Sequence, residues 1–153
     1  TGAGSAETVG VTKPESAPMS DREQNERLMR DLVDVFWNQQ RLDSYDDFFT
    51  PDFKIHTGTA DYSGKSGMCD GFAGPFFEGF PDLRHEVEFL LIDGDWTALR
   101  YHGTGTLTGS YEGLQGSGQK LDYHGTVVLE LKDGRIAEAW GHSDLADWVA
   151  AHR

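Results

Sequence analysis

The segment FPDLRHEVEFLLIDGDWTALRYHGTGTLTG, residues 80–109, decides the fold class. Pro81 stops any helix arriving from upstream. From Arg84 to Asp93 the residues alternate, so Val87, Phe89 and Leu91 share one face of a strand. Asp93-Gly94 marks a hairpin turn. A second, longer strand starts at Trp96, and Gly103 and Gly105 inside it predict a bend or bulge, as a strongly curved sheet requires.

The same character continues to the chain end. A glycine-rich loop, GSYEGLQGSGQK, precedes a third strand at residues 121–132. Asp133-Gly134 is another hairpin turn, RIAEAWGH the last strand, and SDLADWVAAHR a closing helix. No repeat is apparent. Upstream the pattern is helical. Ser20 and Glu23 have capping-box spacing and open a helix over residues 20–42, with Leu28, Leu32, Val35 and Phe36 on its apolar side. A short helix over residues 44–49, a strand FKIHT at 53–57 and a glycine-weakened helix over 67–80 follow. Residues 1–18 lack periodicity and read as a disordered tail, leaving one domain over residues 19–153. Helices followed by an antiparallel meander of long bent strands make an α+β fold, in which a cone-shaped curved sheet wraps around the N-terminal helices and encloses a small-molecule pocket.

Composition narrows the partners. Asp and Glu outnumber Lys and Arg by 26 to 13, so a net charge of −13 repels a phosphate backbone and argues against nucleic acid. No apolar run is long enough to span a membrane, and residues 1–20 lack the basic start and apolar stretch of a signal peptide. The single cysteine, Cys69, rules out an internal disulfide and suits a reducing, cytoplasmic setting.

The candidate chemistry gathers at residues 138–148, EAWGHSDLADW. Alternation puts Ile136, Glu138, Trp140 and His142 on one face, with Ala137, Ala139 and Gly141 on the other. An extended backbone adds Asp144 to the first face, which would hold a flat substrate and move a proton. Ser143 or Asp144 also stands where a helix N-cap belongs. Arg100 and His102 share a strand face, His124 faces with Thr126, and His56 lies near the expected pocket mouth. His85 and His152 read as surface residues. There is no His-x-His, no His-Glu-x-x-His, no cysteine pair and no Gly-x-Ser-x-Gly, so no metal site, cofactor or hydrolase elbow is expected.

These motifs together resemble the SnoaL-like polyketide cyclase family, of the nuclear-transport-factor-2-like or cystatin-like α+β fold. Phe80-Pro81-Asp82-Leu83, the Gly105-Thr106-x-Thr108-Gly109 segment, and Asp133-Gly134-Arg135-Ile136 running to Trp140 and Asp144 carry the resemblance, from about Ser20 to the end. It implies a cone-shaped pocket, often a homodimer, and ring closure by an intramolecular aldol step without a cofactor. The acid/base aspartate of such cyclases corresponds to Asp144, and a histidine at the place of His56 is common among them; the strand faces add His142 as a hydrogen-bonding partner and Trp140, Arg100, His102, His124 and Glu138 as candidate substrate contacts. Leu107 stands where many relatives carry histidine. Two other readings remain open: a non-catalytic binding module, and an epoxide hydrolase of the limonene type. The latter wants an Asp-Arg-Asp set and meets His102 where its second acid belongs.

Overall fold

A computed structural model describes residues 20–153; the tail expected over residues 1–18 and Met19 lie outside the described residues. Helix α1 (Asp21–Asp31) widens into a π-helical segment, Leu32–Asn38. A 3-10 turn (Leu42–Ser44) leads to α2 (Tyr45–Phe48), β1 (Phe49–His56) and β2 (Asp61–Ser63). Then come α3 (Gly64–Ser66), a second π-helical segment (Gly67–Ala73) and α4 (Gly74–Gly79). The second half is β3 (Arg84–Asp93), β4 (Trp96–Leu107), the short β5 (Ser110–Tyr111) and β6 (Leu114–Gln115), β7 (Gln119–Lys132), β8 (Arg135–Ser143) and α5 (Leu145–Ala151). No helix among the described residues is long and apolar enough to cross a membrane.

Helix α1 starts where the capping box requires. Ser20 Oγ accepts the Glu23 N–H at 3.1 Å, and Glu23 Oε1 accepts the Ser20 N–H at 3.1 Å. Its end comes earlier than the expected residue 42. The turns widen until Gln39 N–H reaches Asp34 O at 3.0 Å, and Gln40 (φ 56) turns the chain. Strand β1 starts earlier than expected and runs through Pro51. Its register against β8 shifts between Phe49 and Lys54, the kind of break in which a strand accommodates proline. The segment read as a glycine-rich loop contains the β5–β6 hairpin, which brings the Tyr111 ring onto Phe76, centroids 5.2 Å apart.

The main sheet has six strands in the order β2-β1-β8-β7-β4-β3. Both expected hairpins form: Gly94 (φ 61) opens the β3–β4 turn, and Asp133 (φ 52) with Gly134 (φ 80) makes the β7–β8 turn. The sheet departs from the all-antiparallel expectation at β1 and β8, which are parallel. Parallel neighbours need a long crossover, and the whole β2-to-β7 excursion supplies it. Helices cover one face of the curved sheet. Phe36, Phe49, Phe53, Phe76 and Phe80 are at most 2% exposed between the two layers, each contributing roughly 1.5–3 kcal/mol by burial. The fold is α+β, as the pattern of elements requires.

Candidate active site

Two bulges decide which side chains meet the space under the helices. Val87 pairs with Tyr101 but Phe89 pairs with Arg100, so Glu88 is an extra residue in β3. Val87 and Leu90 therefore turn inward, while Phe89 and Leu91 face out, 54% and 61% exposed. Ile136 pairs with Leu131 and Glu138 with Glu130, which makes Ala137 the extra residue in β8. Ile136 is inside, Glu138 and Trp140 are outside, and Ala139, Gly141 and Ser143 line the cavity. Each inserted residue flips every side chain beyond it. The shared faces expected for Val87, Phe89 and Leu91, and for Ile136, Glu138 and Trp140, are corrected accordingly.

The expected substrate contacts consequently gather on the outer face of the sheet. His56 Nε2 contacts Glu138 Oε2 at 2.7 Å and its Nδ1 contacts Asp61 Oδ1 at 3.0 Å. Its ring stacks on Trp140, which stacks on Trp96. Arg100 pairs with Glu88 at 3.2 Å and donates to Thr126 Oγ1 at 3.3 Å. His102 and His124 stack face to face. None of these lines the cavity, so the pocket placement of His56, Glu138, Trp140, Arg100, His102 and His124 does not hold. His142 reaches the rim, beside the Gly58 turn. His152 stacks on Trp148 at the exposed chain end, as expected.

Asp144 is exposed and is not itself a lining residue, although its chain neighbours Ser143 and Leu145 are. Its carboxylate does not cap α5; Ser143 Oγ accepts the Leu145 N–H at 3.2 Å instead. Asp144 Oδ1 accepts the His124 N–H at 2.8 Å, and its own N–H donates to His124 O at 3.1 Å. The side chain thus stands in for a backbone carbonyl and adds one rung to the β7–β8 ladder. The exposed carboxylate is held by a strand, not by a helix end.

The cavity itself is about 340 Å³, within the range of small-molecule sites. Trp37, Phe53, Tyr62, Phe72 and Phe76 make much of its wall. Its polar lining includes the deeply placed His85, Tyr123 and Tyr101 and, at exposed residues, Glu112, His142 and Arg153. Asn38 positions His85 by gripping its backbone twice, accepting the N–H at 2.7 Å and donating to the carbonyl at 3.0 Å. The His85 ring then meets Trp37 edge-on, and its Nε2 makes a short hydrogen bond to the Tyr123 hydroxyl. Among the described residues His85 Nδ1 has no hydrogen-bond partner, although the residue is only 6% exposed. Such an atom is a ready partner for a ligand.

Burial sets the protonation of this cluster. It pushes His85 down to about 3, so the imidazole is neutral at ordinary pH. Burial pushes Tyr101 up to about 12 and Tyr123 well above its usual value; the Asp144 charge pushes both further in the same direction. The two phenol rings pack edge-on against one another, centroids 5.8 Å apart. The site therefore offers neutral hydrogen-bond donors, and its base must come from elsewhere.

The buried imidazole has a measurable consequence. A histidine with a lowered folded pKa contributes its stability above the unfolded value, near 6.5. That stability drains as pH falls from there toward about 3. The slope approaches about 1.4 kcal/mol per pH unit. His56 acts oppositely: Glu138 and then Asp61 raise its pKa, so its contribution is present below 6.5 and is lost as pH rises through the raised value. Urea titrations between pH 6.5 and 5 should show the slope in the wild type and its loss in His85→Leu. An unchanged slope would contradict the buried neutral imidazole.

Sequence reading missed His85, Tyr101 and Tyr123. A signal was present: YHGT occurs twice, at residues 101–104 and 123–126, despite the apparent lack of a repeat. The copies pair antiparallel, Tyr101 with Gly125, His102 with His124 and Gly103 with Tyr123. Each phenol lies over the glycine of the other strand, where a Cβ would collide with the ring. Gly103 thus accommodates a ring rather than the expected bulge.

The profile of the SnoaL-like polyketide cyclases matches residues 27–151. A solved structure of a proposed SnoaL-like polyketide cyclase from Jannaschia sp. CCS1 is 26% identical, with 92% of this chain and 97% of that one covered at a TM-score of 0.77. AclR from Streptomyces galilaeus, a proposed hydroxylase, is 26% identical over 86% of this chain and 82% of its own, with a TM-score of 0.74. IdmH from Streptomyces antibioticus, a proposed polyketide cyclase, is 25% identical over 82% and 95%, with a TM-score of 0.69. No curated protein sequence matches significantly.

Proposed function

The chain belongs to the SnoaL-like polyketide cyclase family, and from that premise we propose that it closes or isomerises a small, mostly apolar carbonyl compound by proton transfer alone. Family membership supports a cyclase or isomerase type of role. The observation that carries the finer reading is the aromatic cavity lined by a neutral, hydrogen-bonded His85–Tyr123 pair and by Tyr101, whose pKa the Asp144 charge helps to raise. A neutral phenol donor is suited to a carbonyl oxygen that becomes an enolate. Asp144 takes the α-proton, and the phenols stabilise the charge left on oxygen. In ring closure the enolate carbon then bonds to a second carbonyl carbon of the same molecule, and the alkoxide so formed recovers the proton from Asp144. No oxidation state changes, so the sequence of steps needs no electron carrier. His85 orients Tyr123 and offers Nδ1 to a substrate hydroxyl.

Arg100 faces away from the cavity and pairs with Glu88, which disfavours the epoxide-hydrolase alternative. A purely binding module would have no use for a carboxylate whose charge reaches two buried phenols. Homodimerisation is part of the same proposal: Phe89, Leu91, Trp96 and Val128 are exposed on the outer sheet face, and a second copy would cover them. A solution mass of one 17.0 kDa chain at micromolar concentration would count against it.

The test for catalysis needs no knowledge of the true substrate. Cyclic ketones and polyketide-like diketones are incubated with the protein in D₂O, and deuterium at the α-carbon is followed by NMR. Protein-dependent exchange supports the reading; tight binding of these compounds with no exchange would leave a carrier.

A further inference from the structure

We propose that His102, His124 and Asp122, with Glu88 as fourth donor, form a binding site for a transition-metal dication on the outer face of the sheet. The site is separate from the cavity and does not depend on the catalytic reading. The His102 and His124 rings lie 4.3 Å apart with planes 3° from parallel. His102 Nε2 is 2.8 Å from Asp122 Oδ1, and His124 Nε2 is 3.9 Å from Glu88 Oε2. Ligand atoms from His102, Asp122 and His124 all lie within 4.8 Å of one another. Two imidazole nitrogens and two carboxylates are a donor set for zinc, cobalt or nickel, whereas magnesium and calcium prefer oxygen alone.

The backbone is already in place for such an ion. His102 and His124 are directly paired on two long central strands, and Asp122 is two residues before His124 on the same face. Behind them the Tyr101–Gly125 and Gly103–Tyr123 crossings lock the register from the other side of the sheet. Tetrahedral zinc with nitrogen ligands near 2.0 Å needs donors roughly 3.3 Å apart. Parallel ring planes never meet, so the imidazoles must turn toward a shared ion about their side-chain torsions, which their partial exposure permits without moving either strand. Glu88 already bridges toward the site, because Arg100 Nε holds its Oε1 at 3.2 Å. The net charge of −13 draws cations toward the surface. Sequence spacing cannot display this cluster, since strand pairing and not proximity along the chain assembles it. A bound ion would tie β4 to β7 directly behind the phenols of the cavity.

The test is a calorimetric titration of the full chain with ZnCl₂, repeated with NiCl₂ and in excess MgCl₂. The expected result is one zinc per chain, unaffected by magnesium. His102→Gln and His124→Gln should each weaken binding by more than about 10-fold, while His152→Gln leaves it unchanged. Circular dichroism of each variant establishes that it is folded. A folded His124→Gln protein that binds zinc as the wild type does would overturn the proposal. So would equal competition by magnesium, one ion per two chains, or no saturable binding.

Discussion

An Asp144→Asn protein is expected to exchange substrate α-protons about 10²–10⁴-fold more slowly than wild type, while binding the same compound with unchanged affinity. The substitution is clean for a structural reason. Asp144 Oδ1 accepts the His124 N–H, and an asparagine side-chain oxygen accepts it equally well. The β7–β8 rung survives, and only the charge and the ability to take a proton disappear. The phenols would feel the change too, since the Asp144 charge helps to raise both of their pKa values. Their anionic forms become less unfavourable, but both remain neutral near pH 7 because burial is the larger cause. Donor geometry is therefore conserved, and a lower rate reports the missing base. Exchange at the wild-type rate would move the base elsewhere, with His142 at the rim the next residue to replace.

The second large effect is expected at Gly125, where alanine should cost about 1–3 kcal/mol of stability and lower α-exchange with it. A Cβ there would run into the Tyr101 hydroxyl and ring and come 3.0 Å from Ser143 Cβ. Tyr101 sits against its opposite-strand glycine and packs edge-on to both Tyr123 and His85, so it cannot yield without disturbing those rings. Gly141→Ala is the matched control on the neighbouring strand. Its added Cβ would meet Val127 Cγ2 at 3.7 Å, an ordinary contact, so the change should be within about 0.5 kcal/mol. Urea denaturation of the two variants separates the cases. Equal stabilities would mean that the phenol moves aside freely.

What the sequence made legible was local. The Ser20–Glu23 box, the two Asp-Gly turns and the long strands are each specified by residues a few positions apart, and all appear. The face assignments failed because the extra residues Glu88 and Ala137 are defined only by what lies across the ladder. Alternation read along one strand cannot reveal that a partner has skipped a residue. His85 looked like a surface histidine between Arg84 and Glu86; the Asn38 grip, 47 positions away, turns it inward. Asp144 was legible as the carboxylate after the last strand, but its attachment to His124 follows from tertiary register. The family resemblance spanned these gaps for the fold and left the cavity chemistry to the pairing of β4 with β7.

That pairing has a consequence for assembly. The two Tyr-His-Gly segments cross as copies of one another, so each is complementary to itself. A β4 strand from one molecule would offer a β4 strand from another the same ring-over-glycine fit that it finds in its own β7. Local complementarity therefore cannot distinguish self from neighbour, and the decision falls to the tether. Residues 108–118 join the two strands, and a connection that short holds its ends at an effective concentration in the millimolar range. Dilute chains pair internally by that margin, whereas nascent chains crowded on one message have less of it and are exposed to strand exchange between molecules.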